Sequence, residues 1–351
     1  MRNNNFDFLR FSFAFIVVMG HLIEFANVKS LTLFAPYFNT YFSITGFFII
    51  SGFLITGSYL RTDTLKKYFE KRAARLLPAY LVVVLGSTIL FSTISSLNFQ
   101  NYFTSPQLYK YLVANLSFLN FIQPCLPGVF GNQACPVNGA LWTLKVEISF
   151  YVTVPIIIYL INKTDKIFFL LTLIYILSLV YSHYMNHLST VKNNDFYSML
   201  ARQLPGAMMY FLSGMIMFYY FQYFNKHKLV LFIAGLIVLV VERYLSVRFL
   251  TPFAFACVIF YIAYGFKFLN RFGKYGDISY GIYIFHCPII KTFVHFDFFK
   301  SVPPFLAVAI VILVVITVGF LSWHLLEKKF LNRVHASPTS PILISLRNDE
   351  N

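Results

Sequence analysis

The stretch 6-FDFLRFSFAFIVVMGHLIEF-25 is apolar over about the 20 residues that a membrane-crossing helix needs, yet it carries Arg10 and His21. Ionisable side chains at membrane depth are costly. Where they occur they face a bundle interior or a water-filled path, and they mark function. On a helix, the step from Arg10 to His21 makes roughly three full turns, so both side chains share one face about 16 Å apart. Asp7 and Glu24 fall three residues outside them, close to the same face. One stripe of the first helix therefore carries Asp7, Arg10, His21 and Glu24.

The rest of the chain has the same character. Of its 351 residues 58% are hydrophobic and only 12% charged, with a mean hydropathy of +0.68. Soluble domains carry about 25% charged residues, so this chain has too little polar surface to be one. Its repeated apolar runs match a hydrocarbon core of about 30 Å. They must be helices, because backbone groups in lipid have to be satisfied within the segment or in a closed barrel, and the alternation of a barrel is absent. The reading is an all-α integral membrane protein of about ten transmembrane helices. The spans are expected near 6–26, 39–60, 79–96, 142–162, 167–185, 205–224, 229–243, 249–267, 278–297 and 304–326.

A net charge of +15 would point to nucleic acid in a soluble protein. Here Lys and Arg concentrate in alternate connections, above all 61–78, which is the pattern of cytoplasmic loops and places both termini in the cytoplasm. The first apolar run has no cleavage site after it and is expected to stay as a helix. Residues 1–330 read as one membrane domain. Residues 331–351 read as a polar, disordered cytoplasmic tail. In the long outer loop, Cys125 and Cys135 are compatible with a disulfide on the oxidising side and equally with two free thiols. Cys257 and Cys287, in apolar spans, read as packing residues.

Four other places could carry chemistry. In KKYFEKRAARLLPAY, Arg72 and Arg75 sit three apart before a span, with Pro78 near the expected helix start. Such a pair suits phosphate binding, although taken alone the commoner reading is anchoring of a helix against anionic lipid. In LWTLKVEISFY, Trp142 fits the membrane interface, and Glu147 lies inside the span with Lys145 as a candidate partner. In GDISYGIYIFHCPII, Ser279, Tyr283 and His286 share a face, as substrate ligands or as helix-to-helix hydrogen bonds. In SWHLLEKKFL, Trp323 and Glu327 look interfacial and structural. His21 itself suits a general base. A metal is not expected there, because no second His or Cys stands beside it at ligand spacing.

These pieces occur in an order that resembles the integral-membrane acyltransferase-3 family: Arg-(ten residues)-His in the first span, FFIISGFLITGSYL, the Arg-x-x-Arg of KRAARLLPAY, LWTLKVEISFY, GDISYGIYIFHCPI and SWHLLEKKF. The resemblance implies a multi-pass protein of the bacterial inner membrane. Such a protein O-acylates an extracytoplasmic glycan (O-antigen, capsule or exopolysaccharide) from cytoplasmic acyl-CoA, usually acetyl-CoA. No bound cofactor, metal or nucleic acid is implied; the partners are acyl-CoA, the glycan acceptor and membrane lipid. By the same resemblance His21 is the catalytic histidine, with Glu147 as a second candidate, and Arg10, Arg72 and Arg75 are donor-site residues. Trp142, Ser279, Tyr283 and His286 match family positions and, with Asp7 and Glu24 of the first-helix stripe, are substrate or support candidates. Lys145 departs from the family's usual small or polar residue. An exporter of polysaccharide or lipid-linked sugar is the competing class, and the oligomeric state is open.

Overall fold

The computed structural model describes residues 4–131, 135–245 and 247–335. Ten principal helices follow in chain order: α1 Phe6–Ala26, α2 Thr40–Leu60, α3 Leu65–Leu90, α4 Trp142–Thr164, α5 Ile167–Lys192, α6 Leu204–Tyr219, α7 Phe221–Tyr244, α8 Thr251–Gly265, α9 Ser279–His295 and α10 Pro304–Ser322. Among the described residues there is no strand. Among the described residues seven segments, those built on α1, α2, α3, α4, α5, α7 and α10, are long and apolar enough to cross a membrane. The other three, α6, α8 and α9, have 16, 15 and 17 residues. At 1.5 Å per residue they span only about 22–26 Å, less than a hydrocarbon core.

Those short helices are the inner ones. Gly206 to Met215 of α6 and Ser279 to Ile284 of α9 are buried without a break. On α5, by contrast, the buried positions are Leu171, Tyr175, Ser178 and Ser182, a single stripe, and α7 buries only Phe224, Gly235 and Glu242. A helix wrapped in protein need not match the bilayer, whereas α5 and α7 present most of their surface outward. The α2–α6 crossing is close enough that a Cβ on Gly52 would collide with the carbonyl of Phe211, the small-residue packing that membrane helices use in place of a hydrophobic drive.

Backbone satisfaction, the strictest demand inside a membrane, explains several side chains. Pro155 in α4 and Pro288 in α9 each remove an N–H and orphan the carbonyl four residues earlier. The Tyr68 hydroxyl donates to the orphan of Pro155, Tyr151 O, at 3.0 Å, and the Asn138 amide donates to the orphan of Pro288, Ile284 O, at 2.8 Å. Asn5 ties the start of α1 to the end of α8 through Ile262 O and Phe266 O. Buried Glu242 accepts the backbone N–H groups of Phe249, Leu250 and Thr251 at the start of α8, where the helix dipole favours an anion.

Two sequence expectations change. The third span begins at Leu65 rather than 79, with the Thr64 side chain capping it by accepting from Lys67 N, so Arg72, Arg75 and Pro78 lie inside the helix. Its first turns are polar, and hydropathy does not see them. At the other end α10 runs through a π-turn, Trp323–Glu327, into the helix Lys328–His335, so the chain is still helical past 331. Most of the expected tail, residues 336–351, lies outside the described residues. In the long loop Cys125 and Cys135 are bridged, with Cα atoms 5.1 Å apart, which settles the open alternative for these two cysteines.

Candidate functional site

The stripe on α1 meets α9 along its length, and the two ends are built differently. At the Arg10 end, Asp277 is the hub. One of its oxygens, Oδ2, receives Arg10 Nη1 and, at 2.6 Å, Arg75 Nη2. The other, Oδ1, accepts from the hydroxyl and the N–H of Ser279 at the start of α9. Gly276 (φ 118°) makes the turn into Asp277 in a conformation that glycine alone adopts freely, with the Trp323 indole packed where a Cβ would stand. Arg75 also donates from Nη1 to Glu327 Oε2 at 3.1 Å and lies 5.6 Å from the ring centroids of Tyr280 and Trp323. The π-turn aims Glu327 inward, where it is fully buried and accepts from Ser322 Oγ at 2.9 Å. Burial would raise the Asp277 carboxyl, but Arg10 and Arg75 outweigh it and hold it down to about 2.

Arg72 has a separate environment, three residues from Arg75 on the same helix. It donates from Nη2 to Ser58 Oγ at 3.2 Å and lies 5.8 Å from the Tyr151 ring centroid. Its buried Nε has no hydrogen-bond partner, and among the described residues no carboxylate pairs with it. The Arg-x-x-Arg motif thus supplies one compensated guanidinium and one uncompensated one.

Between the ends lies a cavity with about 560 Å³ of empty volume, including its open mouth, whose wall includes Arg10, Arg75, Glu147, Ser279, Thr143 and Tyr283. Glu147 Oε1 accepts from the Tyr151 hydroxyl at 2.5 Å. Lys145 does not pair with it: its ammonium sits 4.6 Å from the Phe121 ring centroid and has no acidic partner among the described residues. Tyr283 and Thr143 join their hydroxyls at 2.7 Å. Trp142 is half-buried against the core at the start of α4.

Tyr283 lies one turn before His286, and here the other end of the stripe is reached. His21 Nδ1 stands 2.7 Å from His286 Nε2, with the two rings 7° from coplanar and their centroids 5.0 Å apart. His286 Nδ1 lies 2.6 Å from Tyr283 O, and Cys287 Sγ lies 3.3 Å from His286 Nε2 and 3.7 Å from His21 Nδ1. Phe25 stacks on His21 at 5.4 Å; Lys291 lies over Phe25 and donates to Pro136 O in the bridged loop.

The sequence stripe therefore separates into parts. Arg10 reaches Asp277, His21 reaches His286, Asp7 packs against Gly273, and Glu24 is exposed. Neither Glu24 nor Glu147 hydrogen-bonds to His21; its ring partner is His286. His21, His286 and Cys287 form a trio of possible metal ligands that local spacing could not reveal. Yet a tetrahedral zinc would hold its two nitrogens about 3.3 Å apart. The observed 2.7 Å and coplanar rings fit a shared proton. Asp277 and Glu327 are the functional candidates that sequence reading missed. An acid two residues before a helix start was the available signal for Asp277; Glu327 had none, because a π-turn redirects it.

A protein-family model described as "Acyltransferase domain" matches residues 3–324. The chain is 24% identical over 361 aligned residues to the "O-acetyl transferase" of Shigella phage Sf6, covering 95% of this chain and 97% of that protein. It is 29% identical over 166 residues to "Nodulation protein 10" of Rhizobium leguminosarum bv. viciae, less than half the length of either chain. No solved structure matches it.

Proposed function

The chain belongs to this acyltransferase family, and on that premise we propose that it moves an acetyl group from cytoplasmic acetyl-CoA to a hydroxyl of an extracytoplasmic bacterial glycan, with His21 as general base. The observation that carries the proposal is the cavity, which has guanidinium groups at one end and comes within one helical turn of the histidine pair at the other. Coenzyme A is polyanionic at its nucleotide end and thin along its pantetheine arm, so it suits a charged mouth and a narrow bore. Arg72, uncompensated, takes a phosphate; guanidinium groups favour such oxyanions. Arg10 and Arg75, already engaged by Asp277 and Glu327, frame the entrance.

At the far end His21 removes the proton from the acceptor hydroxyl as its oxygen attacks the thioester carbonyl. The C–O bond forms, the C–S bond breaks, and the proton passes from His21 to the departing thiolate. Glu147, held by the Tyr151 hydroxyl, lines the route and orders the arm. The orientation, with the arginine end in the cytoplasm of an inner membrane, is supported by the Cys125–Cys135 bridge at the opposite end, since disulfides persist in oxidising compartments. The name of one relative, an O-acetyl transferase, favours acetyl as the group; surface or secreted glycans (O-antigen, capsule, exopolysaccharide) are the acceptor class that the family resemblance implies.

The test uses purified protein in proteoliposomes with labelled acetyl-CoA and a glycan extract. Ester should form with the native chain and fall by at least about 10²-fold in His21→Ala, with membrane insertion unchanged. Wild-type esterification by His21→Ala would remove His21 as the base. Glycan flux without ester would favour an exporter instead.

A further inference from the structure

We infer that His286 is a positioning residue that fixes His21 in the tautomer whose Nε2 is unprotonated, leaving that nitrogen as the base. The inference rests on the reading of His21 given above and adds to it the group that makes His21 competent.

The chain of hydrogen bonds starts at a carbonyl. Tyr283 O can only accept, so His286 Nδ1, 2.6 Å away, carries a proton. A neutral imidazole with its proton on Nδ1 has a bare Nε2. That Nε2 lies 2.7 Å from His21 Nδ1, so His21 must supply the hydrogen of this contact from Nδ1. His21 Nε2 is then left with its lone pair. The near-coplanar rings at 5.0 Å place the N–H and the facing lone pair on one line. Cys287 Sγ lies beside this bond and covers it.

The backbone that starts the chain of bonds is itself fixed. Pro288 would leave the α9 turn around His286 with an orphan carbonyl at Ile284, and the Asn138 amide satisfies it. Familiar catalytic histidines are oriented by a carboxylate, which also stabilises the imidazolium. Here the orienting group is a neutral ring. When His21 takes the acceptor proton on Nε2, its Nδ1 proton can shift toward His286 Nε2. The charge is then shared by the two rings, and the Tyr283 carbonyl stabilises it by accepting from His286 Nδ1. The proton returns along the same path to the thiolate, and nothing else is consumed.

The experiment compares His286→Phe, which keeps ring volume and removes the acceptor, with His286→Gln, whose amide oxygen can still accept from His21. His21→Ala is the reference. In His286→Phe kcat should fall about 10²-fold with the acetyl-CoA KM within about threefold, and His286→Gln should recover at least about a tenth of native kcat. Independently of activity, ¹⁵N spectra of histidine-labelled native protein in lipid nanodiscs, assigned with the His21→Ala variant, should show His21 with Nε2 unprotonated. His286→Phe should turn that signal into a mixture of tautomers. Native kcat in His286→Phe, or a His21 protonated on Nε2 in the native spectrum, would overturn the inference. If His21→Ala stays active, the base reading falls and the spectrum still decides the tautomer. If the His286 variants do not insert, the native spectrum decides it alone.

Discussion

At the Arg10 end of α1 each side chain of the cluster meets an opposite charge: Asp277 between two guanidiniums, Arg75 between two carboxylates. At the His21 end the contact is imidazole to imidazole, with a thiol beside it and, among the described residues, no carboxylate bonded to either ring. The difference teaches what each end is for. Buried charges that are fully paired are a frame, costly to disturb because removing one partner strands the others. A neutral pair that shares one proton is reactive, since it can gain and release a proton without stranding a buried charge. Arg72, one turn from Arg75, belongs to neither regime, and its unpaired charge leaves it available to a ligand.

The comparison breaks most readily at Asp277. Asp277→Ala leaves Arg10 and Arg75 facing each other and should destabilise the protein by roughly 3–5 kcal/mol, seen as a large fall in melting temperature in detergent or nanodiscs. A melting temperature equal to the native one would mean that the cluster is no frame. The next effect separates the arginines. Arg72→Ala should raise the acetyl-CoA KM about tenfold, worth about 1.4 kcal/mol, and leave the melting temperature near native. Arg75→Ala should lower the melting temperature first. The reverse assignment would exchange their roles.

The smallest effect is one of pH. Asp277 is held at about 2, below its ordinary 3.8, so the stability it contributes is present above that ordinary value and is lost as pH falls toward 2. The gap in melting temperature between native protein and Asp277→Asn should therefore narrow as pH falls from about 4 toward 2. A gap unchanged over that range would contradict this arginine-held state.

Much of the fold was legible in the residues. The first helix runs Phe6–Ala26 as its apolar run implied, and α2 and α4 start within a residue or so of expectation, because long apolar stretches in lipid have only one way to satisfy their backbone. The start of α3 was not legible: a capped, lysine-rich helix projecting beyond the apolar run carries no hydropathy signal. Within the candidate site, Arg10, His21 and His286 could each be picked out as costly or polar groups in apolar surroundings. Their partners could not. Asp277 lies 202 residues from Arg75 in the chain, and His286 lies 265 from His21. No periodicity along one helix reports such a pairing.

The residues alone were enough to say that this chain lives in a membrane, that its apolar runs are helical, and which side chains are too expensive there to be idle. Those outcomes follow from transfer energies and backbone hydrogen bonding, both local properties. Tertiary structure alone decided that Arg75 is neutralised while Arg72 is not, that a π-turn delivers Glu327 to that cluster, and that His21 is oriented by a histidine rather than a carboxylate. The reason is physical: the role of a buried charge or imidazole is set by the atom across the helix interface. That atom is chosen by how the seven longer helices pack around the short, enclosed α6, α8 and α9.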